Sequence, residues 1–173
     1  MKLPIVFWAW SMLLAILVIP GWAQVDQLKW SVVIEKDRDR KKMESAKLGE
    51  GKETIQTYDY TLEVDNSWGE AVSGITATLT VVAQVYDWKK ENTFKIISTQ
   101  IKKDVSVGAG QKLSIDFDPV VIRKTLSKQG NTNWKSGHEM AGYLVKVEHQ
   151  GKEIFTDSKG GKAVRDAIHG AKQ

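Results

Sequence analysis

Asp116 and Asp118 stand two residues apart in "SIDFDPV". On a strand that spacing puts both carboxylates on one face, where paired carboxyl groups could divide general acid and general base work. The alternation of Leu113, Ile115 and Phe117 gives the inward face to the odd positions and leaves both aspartates to water. An envelope hydrolase built on this pair is therefore the last of three readings, and the chain is expected not to be an enzyme. His138, His149 and His169 are scattered, no His-x-x-x-His spacing occurs and the chain has no cysteine, so neither a metal site nor a cofactor is expected. His149, near a strand end, reads as a surface residue. "GAGQK" is too short for a phosphate loop and lacks the following Ser or Thr, and no Gly-x-Ser-x-Gly elbow is present. Asp65 and Asn66 in "EVDNSW" lack the oxygen-dense spacing of a calcium loop; such residues more simply bond their own backbone and fold a turn.

Tryptophan and lysine supply the other candidates. Trp30 alternates with Leu28 and Val32 and reads as core, whereas Trp68, Trp88 and Trp134 fall at expected turns or loops. Aromatic rings there act either as plugs over the ends of a sheet or as platforms for a ligand. Lys89 and Lys90 follow Trp88, and Lys124 and Lys135 bracket the approach to Trp134. Together Trp88, Trp134, Lys89, Lys90, Lys124 and Lys135 could meet an anionic sugar, the indoles against its faces and the ammonium groups against its charges.

Positioning such groups is work for strands. Leu28, Trp30, Val32 and Ile34 alternate; so do Tyr58, Tyr60, Leu62 and Val64, and the run from Ile75 to Val85 is the longest. Period two over that many positions means half-buried strands, with Thr76, Thr78 and Thr80 on a solvated face. The pattern predicts seven strands, over 28–36, 54–65, 72–87, 94–107, 112–122, 139–149 and 152–158. Pro119 marks an edge or a bulge, and Gln150-Gly151 a hairpin turn. Seven antiparallel strands without a strong helical stretch predict an all-β fold, a single immunoglobulin-like β-sandwich. After Gly160-Gly161, Val164 and Ile168 stand four apart in a short tail over 160–173, where a helical turn could form.

If consecutive connections fall at alternate ends, loops 37–53, 88–93 and 123–138 share one end, and Trp68 lies at the other. Segment 36–53 carries seven basic and five acidic residues, 87–91 two and two, and 123–139 four and one. The shared end is thus the basic one, in a chain of net charge +4.

The opening "MKLPIVFWAWSMLLAILVIPGWAQ" has one lysine, an apolar run and a small-residue site at Gly21 and Ala23. It predicts a signal peptide over 1–23, cleaved before Gln24, and a sandwich domain over 24–159. An uncleaved segment of this length would be a membrane anchor and the chain's only membrane contact. The expected location is periplasmic or secreted. No nucleic acid is expected there as a partner, and the excess of positive charge points to anionic polysaccharide or lipid headgroups.

The succession "YDYTLEVDNSWGEAVSGITATLTVVAQVYD", "VSVGAGQKLSIDFDPVVI" and "GYLVKVEHQGKEIFTDS" resembles small secreted bacterial proteins of unknown function with an immunoglobulin-like sandwich, over about residues 28 to 160. The resemblance implies a fold and a compartment and carries over no catalytic residue. The leading expectation is a non-enzymatic interaction or accessory module of the cell envelope, partnered by an envelope component, protein or polysaccharide. The second is binding of anionic polysaccharide through the basic, aromatic end.

Overall fold

The computed structural model describes residues 28–45, 49–87, 93–129 and 131–170. The expected signal peptide lies outside them.

Eight antiparallel strands and one helix follow in order: β1 (Lys29–Ser45), β2 (Gly49–Asp65), β3 (Val72–Tyr86), β4 (Thr93–Val107), β5 (Lys112–Asp116), β6 (Val120–Gln129), β7 (Thr132–His149), β8 (Lys152–Lys159) and α1 (Lys162–Gly170). Pairing joins the strands in one continuous sheet, β1-β2-β6-β7-β3-β4, with β5 also on β2 and β8 also on β7. Core contacts fold it so that β1-β2-β5 faces β8-β7-β3-β4, as in an immunoglobulin-like sandwich. Rings join the layers: Trp30 of β1 stacks on Phe155 of β8 with centroids 5.9 Å apart, and Tyr60 of β2 meets Tyr143 of β7 edge-on at 5.8 Å. Around them Leu62, Leu79, Val81, Val145 and Val147 are fully enclosed, as their alternation requires. Burial pushes the Tyr60 phenol far above its usual range, and neighbouring Tyr58 and Tyr143 push it further; its hydroxyl donates to Met140 Sδ at 3.6 Å. Tyr143 is pushed up to about 12 by burial first and then by Asp157, whose carboxylate accepts its hydroxyl.

Several expectations change. Residues 37–45 and 49–53 are not a loop: β1 and β2 run as 17-residue partners from Lys29↔Asp65 to Ser45↔Gly49. At about 3.3 Å per residue the hairpin is roughly 55 Å long, far beyond the usual five or six residues. Residues 123–129 and 132–138 are likewise strand, as β6 pairs with β2 on one side and with the start of β7 on the other.

The expected strand 112–122 is two strands along one partner. Between Thr61↔Asp116 and Tyr58↔Val120, β2 has two residues and the facing chain has three, which is a bulge, and Pro119, lacking an N–H, sits in it. Gln100 of β4 satisfies the freed backbone, accepting from Asp118 N at 2.6 Å and donating to Asp118 O at 2.9 Å.

The tail is a full helix belonging to the domain. Val164 and Ile168 bury against Val82, with Ile96, Ala141 and Leu144 beside them, on the outer face of β3-β4-β7. Gly161 O accepts from Val164 N and Arg165 N and starts the helix, and His169 in its last turn suits the helix dipole. This cover explains why Thr80, expected in solvent, is buried. His149 is buried too, because it lies inside the ladder between Ile75 and Lys152.

Candidate ligand-binding face

At the end of the sandwich that holds Trp68, connections are closed by one side chain. Asn66 is fully enclosed: Nδ2 donates to Glu70 O at 2.8 Å and Gly108 O at 3.0 Å, while Oδ1 accepts from Trp68 N at 3.1 Å. Trp68 is half-buried and its carbonyl accepts from Gly110 N. The Asx-type turn expected at Asn66 is present, and Trp68 lies away from the basic end.

The other end is a ribbon of β1, β2, β6 and the start of β7. Residues directly opposite in an antiparallel ladder share a face. Register therefore places Lys36 on the face that carries Tyr58, Gln56, Thr54 and Lys52, and puts Glu35 and Asp37 on the reverse. One cross-strand row of that basic band reads Lys52, Leu126, Lys135, and the next reads Thr54, Lys124, Gly137.

Toward β3 the band ends in a polar cluster. Glu139 Oε2 accepts from Lys135 Nζ at 2.9 Å, from Lys124 Nζ at 3.0 Å and from the Tyr86 hydroxyl at 2.9 Å. Lys135 first and Lys124 next lower the Glu139 carboxyl to about 2, against a small opposing effect of burial. Burial works to lower Lys135, but the Tyr86 hydroxyl and Glu139 outweigh it and raise the ammonium above its usual value. Lys135 Nζ also sits 3.5 Å from the centroid of the Tyr86 ring, and Lys36 Nζ lies 5.2 Å from that of Tyr58. Cations on π faces at these distances are attractive. Between the two clusters a cleft of about 290 Å³ is lined by Lys36, Gln56, Tyr58, Lys124, His138 and Glu139 among others.

Of the residues singled out from sequence, Lys124 and Lys135 meet here. Trp134 pairs with Ser127, one step out of phase with Lys135↔Leu126, so it lies on the opposite face of the ribbon from both lysines. Trp88, Lys89 and Lys90 lie outside the described residues. Asp116 and Asp118, both exposed, go to separate partners: Asp116 accepts from the Thr61 hydroxyl at 2.8 Å, and Asp118 stands 3.6 Å from Lys102. Among the described residues no group of His, Asp and Glu is placed to hold a metal ion.

Lys36, Lys52, Tyr86 and Glu139 were not among the expected site residues. A signal for a strand was present in "EKDRDRKK", where base and acid alternate with period two.

No protein-family model matches this chain, and no curated protein matches it significantly. Among solved structures, it is similar to a crystal structure from Akkermansia muciniphila, at 16% identity over 80% of this chain and 75% of that one, with a TM-score of 0.29. An X-ray structure of a Northeast Structural Genomics Consortium target matches at 10% identity over 78% of this chain and 89% of that one, with a TM-score of 0.27. Likenesses this distant say nothing of what the chain binds.

Proposed function

We propose that this protein is a non-enzymatic, extracytoplasmic β-sandwich that serves the cell envelope as an interaction or accessory module and meets an anionic partner on the basic face of its long ribbon. The observation that carries the reading is the gathering of cations on one face: Lys36 and Lys124 line the same cleft, and Lys135 joins Lys124 on Glu139. Three ammonium groups drawn around one concave surface offer an anion more than a scattered, solvated charge run does. Loops and extensions at one end of a rigid sandwich are common places for binding, and the apolar N-terminal run with its small-residue site supports export.

Two measurements test the reading. The exported chain should have the intact mass of residues 24–173; a full-length chain held in the membrane would contradict a cleaved signal. At low salt the purified protein should be retained on at least one immobilised polyanion from a panel of polyglutamate, polyphosphate and dextran sulfate. Retention by none of them overturns the reading.

A further inference from the structure

Resting on that reading, we infer that the cleft between β1, β2 and β6 takes one acidic sugar residue end-on, with its carboxylate between Lys36 and Lys124 and its hydroxyls on Gln56 and Glu139.

The cleft is where the inside of the sandwich opens. On β2, Tyr60, Leu62 and Val64 are enclosed in the core, and the same face continues outward as Tyr58, Gln56 and Thr54, which line the cleft. Its inner wall belongs to the core as well: Ile122 is buried, and Met140 Sδ accepts the Tyr60 hydroxyl. Concave sites with an apolar wall and a few placed polar groups are where small ligands bind. At about 290 Å³ this one stands at the small end of their range of roughly 300–1,000 Å³, which suits one ring better than a length of polymer.

Two ammonium groups flank it. Lys36 stands opposite Tyr58 on β1 and Lys124 opposite Thr54 on β6, and Gln56 lies between those two rows on β2. Against them the lining sets the carboxylate of Glu139, so one further negative charge balances the cleft. Lys135 and Lys124 hold the Glu139 carboxyl at about 2, and its fixed charge opposes a doubly charged phosphate more than a carboxylate.

The polar groups also suit hydroxyls. Tyr58 donates its hydroxyl to Gln56 Oε1 at 2.9 Å, so the Gln56 NH2 group is the part that can donate to a ligand. Glu139 accepts from Lys135, Lys124 and Tyr86 on Oε2 among the described residues, and its Oε1 is the oxygen to accept from a sugar. Aromatic faces contribute little: Tyr58 is buried, and Lys36 Nζ stands 5.2 Å from its ring centroid. A nucleobase stacks on an open ring and finds no open tyrosine or tryptophan among the described lining residues.

The test follows amide chemical shifts of the purified protein during titration with glucuronate, glucose and inorganic phosphate at one ionic strength. Three variants are compared with the parent: Lys36→Gln and Gln56→Glu in the cleft, and Lys103→Gln at an exposed position of β4 outside the lining. Lys36→Gln and Lys103→Gln remove the same charge. Circular dichroism checks folding, and Lys124→Gln replaces Gln56→Glu if the latter does not fold. The inference expects the glucuronate dissociation constant to rise at least about five-fold for Lys36→Gln and Gln56→Glu and to stay within about two-fold for Lys103→Gln, because charge-assisted hydrogen bonds are the strong ones and a distant surface charge is screened. Equal losses in Lys36→Gln and Lys103→Gln would mean that net charge alone governs binding and would overturn the site. Phosphate or glucose bound as tightly as glucuronate would overturn the acidic sugar. A parent protein retained on a polyanion that does not bind glucuronate overturns this inference alone, and one retained on no polyanion removes the underlying reading as well.

Discussion

Asn66 Nδ2 donates to Gly108 O across 3.0 Å, and with that bond one fully enclosed amide ties the turn after β2 to the turn after β4. Truncation to Ala would remove the side-chain partner of Glu70 O and of the Trp68 N–H, while Gly108 O keeps Gln111 N. We expect Asn66→Ala to cost roughly 1–3 kcal/mol, the usual cost of leaving a partly buried polar group unpaired. Urea unfolding checks this, and a loss under about 0.5 kcal/mol would mean that water fills the gap.

The core face is tested at Leu79, which is fully enclosed between β4 and β7. Leu79→Ala should cost roughly 2–5 kcal/mol. Exposed Ile101, 52% accessible on β4, is the comparison; Ile101→Ala should stay within about 1 kcal/mol of the parent.

On the opposite side of that sheet, Ile168→Ala should remove roughly 2 kcal/mol by loosening α1 from Val82. Ending the chain at Gly161 should expose Val82, Ala141 and Leu144 and increase binding of a hydrophobic dye. If the shortened chain is as stable as the parent, the helix is an ornament rather than part of the domain.

Gly142 makes a sharper test of backbone approach. A Cβ there would collide with the Lys159 carbonyl oxygen, so Gly142→Ala must push β8 from β7 at the residues that pair Tyr143 with Lys159. Amide exchange should quicken at the end of β8 first, and exchange unchanged there would refute the contact.

Acid titration reads the Glu139 cluster. The folded carboxyl is held at about 2, against an ordinary value of 4.5. A lowered carboxyl contributes stability that is complete above about pH 4.5 and fades as pH falls toward 2. Because the carboxylate is 41% exposed, the contribution should stay below about 1 kcal/mol. Glu139→Gln should flatten the change of urea midpoint between pH 5 and pH 2.5, and an unaltered slope would dissociate the cluster from acid unfolding.

How far the sequence could be read depends on where burial does the selecting. From Tyr58 to Val64 and from Ile75 to Val81 one face meets the opposing layer, so alternation of apolar and polar residues was compulsory and legible. In the outer half of the β1–β2 hairpin the run "EKDRDRKK" alternates between cations and anions, and a search for apolar periodicity passes over it. Trp134 shows a different gap: its closeness in sequence to Lys135 suggested a joint site, yet neighbours on a strand point to opposite faces. The Glu139 cluster brings together residues from three strands, β3, β6 and β7, and nothing local in the chain announces it.

An outermost strand with unpaired backbone groups invites another strand to add to it, and β1 is outermost on its side. Two copies joining antiparallel through this strand would be related by a twofold axis perpendicular to the sheet, which keeps like faces together. The outer run of that strand, "EKDRDRKK", carries five basic and three acidic residues, so two copies of it repel on balance, and added salt should weaken that guard against aggregation.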